Sequence, residues 1–157
     1  MSERMQKRRI SVRGLKHEEK AWAVRQTGVF TRWLNLKCRD HPQYREVTSL
    51  FDDLRDGLVL HVLLESLSGE TLPKVRVGKL RVQHIDAMNV NFEYLTTNLD
   101  LLNIGVLDIV DGTPKITLGL LWHIMVFFLL RELGGDDVNM TDFKSNLFTW
   151  ANDWTRG

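Results

Sequence analysis

Along this chain apolar residues recur at intervals of three and four rather than two, and those intervals mark a series of helices. From His17 to Cys38, Trp22, Val29, Phe30 and Trp33 fall at helical spacing, and Glu18 and Glu19 near the start complement the helix dipole. This predicts one long amphipathic helix. Gly28 within it costs about 1 kcal/mol relative to Ala, which implies close approach of a neighbour or a local bend. Val47, Leu50, Phe51 and Leu54 predict a short helix closed by Asp56-Gly57. Leu60, Leu63, Leu64 and Leu67 repeat the interval up to Ser68-Gly69, a left-handed C-terminal stop. Lys74 to Val82, KVRVGKLRV, alternates cations with aliphatics as a strand would, but Gly78 interrupts it and no partner strand is visible. It reads as a connecting loop. Ile85, Met88, Phe92, Leu95 and Leu99 then form the stripe of a further helix.

The stretch from Ile109 to Leu133 organises the rest. Between Ile116 and Leu130 it has no Asp, Glu, Lys or Arg, and apolar groups occupy nearly every face, the pattern of a helix buried all round. It falls short of the roughly 20 apolar residues of a bilayer span, so no transmembrane segment is predicted. Asp111-Gly112 makes a turn, Pro114 suits a first helical turn, and Gly134-Gly135 ends the element. The predicted fold is all-α, with four main helices around a buried central helix at about 115–133, plus short helices. Trp22, Trp33 and Trp122 are expected in its core. Beyond the glycines, Phe143, Leu147, Trp150 and Trp154 share one helical face. Phe30-x-x-Trp33-Leu34-Asn35 and Leu147-x-x-Trp150-Ala151-Asn152 are alike, which suggests a repeat whose second copy holds only its first helix.

A chain of 157 residues with 43% hydrophobic content suits one well-buried domain. The net charge of +1 exerts no strong pull on nucleic acid, and no nucleic-acid partner is expected. Its distribution is uneven. Met1 to Lys16 holds six basic residues against Glu3, a net +5 that leaves −4 on the remainder. A basic flexible arm thus precedes a mildly acidic body. The single cysteine, Cys38, cannot form an internal disulfide, and no secretion signal is visible, so a reducing, cytoplasmic setting is expected.

The five histidines, His17, His41, His61, His84 and His123, lie too far apart for a short ligand motif, and no metal or cofactor is expected. Asp52 to Leu63 fails as a calcium loop, because Leu54 and Leu63 stand where oxygen ligands are needed. No phosphate loop or nucleophile elbow occurs, so the chain does not read as an enzyme. His123 is read as a hydrogen-bonded or edge-exposed core histidine.

Phe30-Thr31-Arg32-Trp33-Leu34-Asn35, Leu50-Phe51-Asp52-Asp53-Leu54-Arg55-Asp56-Gly57, Asn103-Ile104-Gly105, Asp108-Ile109-Val110-Asp111-Gly112 and Lys115-Ile116-Thr117-Leu118-Gly119-Leu120-Leu121-Trp122, in that order, resemble the calponin-homology domain. The Thr-Leu-Gly-Leu-x-Trp form is similar to the first domain of the tandem pair in the α-actinin, spectrin, filamin and dystrophin group. Lys144-Ser145-x-Leu147-Phe148-x-Trp150 resembles the opening of the second. The resemblance divides the chain into the arm 1–16, a calponin-homology domain 17–133, a linker 134–140 and the first helix of a truncated second domain 141–157.

The resemblance implies an actin-filament binding module of a cytoskeletal cross-linking or anchoring protein. By position its filament-facing residues would be Gln26, Thr27, Val29, Phe30 and Arg32 in the first helix. In the last large helix they would be Lys115, Ile116, Thr117, Leu118, Leu120, Leu121, Ile124 and Met125, and in the second domain's first helix Lys144 and Leu147. Gln26-Thr27-Gly28-Val29-Phe30 stands where the family often has Gln-Lys-Lys-Thr-Phe, so two lysines that could face an acidic filament are absent. The alternative is a scaffold or regulatory domain that binds another protein or microtubules, with weak or no actin binding. A contact with anionic phosphoinositide lipid through Met1 to Lys16 and Lys74 to Arg81 is a third reading. The helix bearing Trp150 and Trp154 is expected to dock its apolar face on its own first domain or, by self-association, on a neighbouring copy.

Overall fold

The structure, a computed structural model, describes residues 17–101 and 103–133. Its elements are α1 (His17–Cys38), α2 (Leu50–Asp53), α3 (Leu58–Ser68), α4 (Arg81–Asn98), α5 (Val106–Val110) and α6 (Pro114–Glu132). Among the described residues there is no strand, and the predicted all-α architecture of four longer helices and short ones is what forms. The arm 1–16, the linker 134–140 and the C-terminal segment with Lys144, Leu147, Trp150 and Trp154 lie outside the described residues.

Helix α1 buries Ala23, Gln26, Phe30, Leu34 and Cys38, an unbroken stripe at steps of three and four. That stripe differs from the one the large apolar residues suggest. Trp22 is 38% exposed, and Val29 and Trp33 flank the buried line half-covered. Hydropathy alone passes over the stripe because two of its members, Ala23 and Gln26, are small or polar. Gly28 has nothing within 4 Å of where a Cβ would stand, so no neighbour approaches closely there.

The helix buried all round is α3 rather than α6. Val59, Leu60, His61, Val62, Leu63 and Leu64 are consecutive and all buried. Gly57 supplies its left-handed start at φ 82°, and Gly69 its left-handed end at φ 70°, with Gly69 N–H donating to Glu65 O at 3.0 Å. Helix α6 buries Thr117, Leu118, Leu120, Leu121, Ile124, Val126, Phe128 and Leu130, but Lys115, His123 and Arg131 are exposed and Trp122 is half-buried. By length and composition alone its 19 residues could cross a bilayer, longer than the charge-free stretch implies. Its buried side chains pack instead within the protein, as a core helix with one accessible edge.

Helix α1 packs on α2, α3 and α6, α4 packs on α3 and α5, and α5 packs on α6. The centre is therefore shared by α1, α3 and α6. Polar latches fix the connections. Asn35 Nδ2 donates to Val47 O at 3.0 Å while Val47 N–H donates to Asn35 Oδ1 at 2.8 Å, and Tyr44 donates to the same Oδ1 at 3.1 Å. Arg55 Nε donates to Val110 O at 2.7 Å, tying the α2 end to α5. Asn91, fully buried on α4, donates to Gly57 O at 2.8 Å and so holds the start of α3. Residues 74–80 form the connecting loop expected of them, with α4 beginning at Arg81.

Candidate functional site

The residues carried over from the family fall on α1 and α6, two helices that pack on one another. Burial sorts them. Gln26, Phe30, Thr117, Leu118, Leu120, Leu121 and Ile124 lie in the interior, so their side chains hold the helices together and offer little to a partner. Phe30 meets Trp33 edge to face, with ring centroids 6.2 Å apart. Thr27, half-buried, turns its hydroxyl back to the Ala23 carbonyl. Arg32 and Lys115 are exposed, and Val29, Ile116 and Met125 are half-exposed. Lys144 and Leu147 lie outside the described residues.

The accessible side of α1 is more extensive than the family positions indicate. Trp22, Arg25, Val29, Arg32 and Leu36 stand at steps of three and four, which puts them in one line along the helix. Trp22 is 38% and Leu36 58% exposed, and both arginines are exposed. Arg25, Trp22 and Leu36 lie outside the positions that the family resemblance implies. The signal that finds them is the complement of the Ala23, Gln26, Phe30, Leu34, Cys38 stripe. The line alternates apolar surface with guanidinium groups, an arrangement suited to a partner carrying both carboxylates and apolar ground.

Away from this face, titratable groups serve the fold. Glu65 Oε1 receives His41 Nε2 at 3.0 Å and His61 Nε2 at 3.1 Å, and its other oxygen accepts Leu72 N–H at 2.9 Å. Burial alone would raise the Glu65 pKa, but the Leu72 N–H and the two histidines outweigh it and hold it below the ordinary value. Cys38 is buried, which pushes its thiol up to about 11 and leaves it an unreactive apolar group. Among the described residues no group of three or more His, Cys, Asp or Glu is placed to hold a metal ion.

Residues 25–129 match the family model of the calponin homology (CH) domain. The chain is 36% identical over 132 residues to alpha-actinin-4 of Homo sapiens and, at the same identity and length, to alpha-actinin-1 of Homo sapiens. It is 38% identical over 135 residues to utrophin of Rattus norvegicus. Each alignment covers 83% of this chain but a small part of the relative: 14% of either alpha-actinin and 4% of utrophin. The helical order, the Gly57 and Asp111-Gly112 turns and the family match agree, and the chain belongs to the calponin-homology domain family.

Proposed function

We propose that this domain is the actin-filament binding module of a cytoskeletal cross-linking or anchoring protein and works in the cytoplasm. The observation that carries the reading is the accessible line Trp22, Arg25, Val29, Arg32 and Leu36 on α1, the helix that the family resemblance assigns to the filament. An acidic filament attracts the Arg25 and Arg32 guanidinium groups over a distance set by salt. Trp22, Val29 and Leu36 then lose water against the filament, which supplies the short-range part of the affinity. Lys115, on the exposed start of α6, adds a further cation. The +5 arm of residues 1–16 speeds encounter and steepens the salt dependence.

The interior placement of Gln26, Phe30, Leu118 and Leu121, together with Thr27-Gly28 in place of the lysine pair, favours a second reading. In it the same α1 line docks another protein and binds actin weakly or not at all. Co-sedimentation of the chain with actin filaments at low and raised salt separates the two. Pelleting that weakens with salt supports the filament reading, and no pelleting at low salt supports the scaffold.

A further inference from the structure

The loop entering α4 and the first turn of that helix carry three large aliphatic side chains open to solvent within six residues: Val77 at 54%, Leu80 at 64% and Val82 at 59% exposure. Lys74, Arg76, Lys79 and Arg81, all exposed, interleave with them. Arg81 is engaged by Asp111 at 2.8 Å, while Lys74, Arg76 and Lys79 make no ion pair among the described residues. An open groove of about 370 Å³ runs beside Lys74 and Arg76, with Gln83 and Asp86 on its wall and Asp86 its acidic group.

The turn is held in shape rather than left loose. His84 Nε2 donates to Gly78 O at 2.9 Å, and Leu80 N–H donates to Gln83 Oε1 at 3.1 Å. The Gln83 side chain fills the space a Cβ would take on Gly78. The aliphatic tips are therefore presented outward by a hydrogen-bonded turn, which lowers the ordering cost of docking them.

We propose that residues 74–82 form a docking surface for an anionic lipid bilayer, Val77, Leu80 and Val82 entering the acyl boundary while Lys74, Arg76 and Lys79 hold headgroup phosphates. A purely acidic peptide would satisfy the cations and leave the aliphatics in water. A bilayer takes both, because its charged headgroups lie directly over hydrocarbon, and long basic side chains keep their heads at that level. The surface belongs to a different element from the α1 line, so the inference does not rest on filament binding.

The test is sedimentation of the full chain with phosphatidylcholine vesicles and with vesicles that also contain phosphatidylserine. The chain is expected to pellet with the anionic vesicles and not with the neutral ones. Val77→Ser/Leu80→Ser, which leaves every charge in place, is expected to weaken binding about tenfold. Lys74→Glu/Arg76→Glu/Lys79→Glu is expected to abolish it. Unchanged melting and circular dichroism of both variants identify an intact fold; Leu80→Ser alone serves where the double variant melts early. Equal binding by the wild type and the serine variants would show that Val77 and Leu80 do not enter the bilayer and overturn the proposal. So would failure to bind anionic vesicles, including the case in which the same cations capture polyglutamate instead.

Discussion

His61 Nε2 lies 3.1 Å from the Glu65 carboxylate one turn further along α3, with the imidazole side chain 3% exposed. The same oxygen receives His41, whose Nδ1 accepts the Gln43 N–H at 3.0 Å, leaving Nε2 as the donor to Glu65. One carboxylate thus ties the loop after α1 and the loop after α3 to the most buried helix. His61 Nδ1 is buried and without a hydrogen-bond partner among the described residues, so there is no acceptor for a second proton.

This arrangement fixes a direction for pH. Burial holds His61 below its ordinary 6.5, against the attraction of Glu65 and helped by His41. Around pH 6.5 the unfolded chain takes up a proton that the folded one refuses, so this contribution is complete above that pH and is lost as pH falls toward the folded value. Glu65, held below its ordinary 4.5, adds a second loss in the same direction as pH falls below that value. The melting temperature is expected to decline between about pH 7 and about pH 5, and His61→Leu to flatten that slope. A wild-type melting temperature that rises on acidification would show the sign to be wrong.

The same substitution at two glycines should act in opposite directions. Gly57 has φ 82°, and a Cβ there would stand 2.8 Å from the Ala87 Cβ, so Gly57→Ala strains the turn and presses α4 away. A loss of more than about 1 kcal/mol is expected. Gly28 lies inside α1 with open space around it, and Gly28→Ala should stabilise by up to about 1 kcal/mol. Urea denaturation of the two variants checks both signs.

Asn35 serves as a backbone surrogate for Val47, meeting both its N–H and its carbonyl. Asn35→Ala strands those groups beside the buried Val47 side chain and frees Tyr44, and is expected to cost about 1–3 kcal/mol in chemical denaturation. Asn35→Asp keeps the acceptor but loses the donor, so it should fall between alanine and wild type.

The helices were legible because their apolar residues repeat every three or four positions, and the Gly57, Gly69 and Pro114 signals fixed their ends closely. The depth of each helix was not. Helix α6 has the more uniformly apolar sequence, yet α3 is the one enclosed, since enclosure depends on how many neighbours surround a helix rather than on its own residues. The site residues on α1 suffered from the same limit. Phe30 and Gln26 differ in polarity but share the inward stripe, while Trp22 and Leu36 are apolar and face out. Val47, placed at the start of a helix by its interval with Leu50, lies before α2, held by Asn35 from a distant part of the chain.

Filament co-sedimentation of Arg25→Glu/Arg32→Glu against wild type tests the α1 line most directly. Both side chains are exposed, and neither makes an ion pair among the described residues, so the fold should survive with unchanged circular dichroism and melting. The wild type is expected to pellet with actin at low salt, and the double variant to lose most of that binding, since a reversed charge repels an acidic filament as strongly as the original attracted it. Wild-type pelleting matched by an equally bound, folded variant would contradict the α1 line as the filament-binding surface.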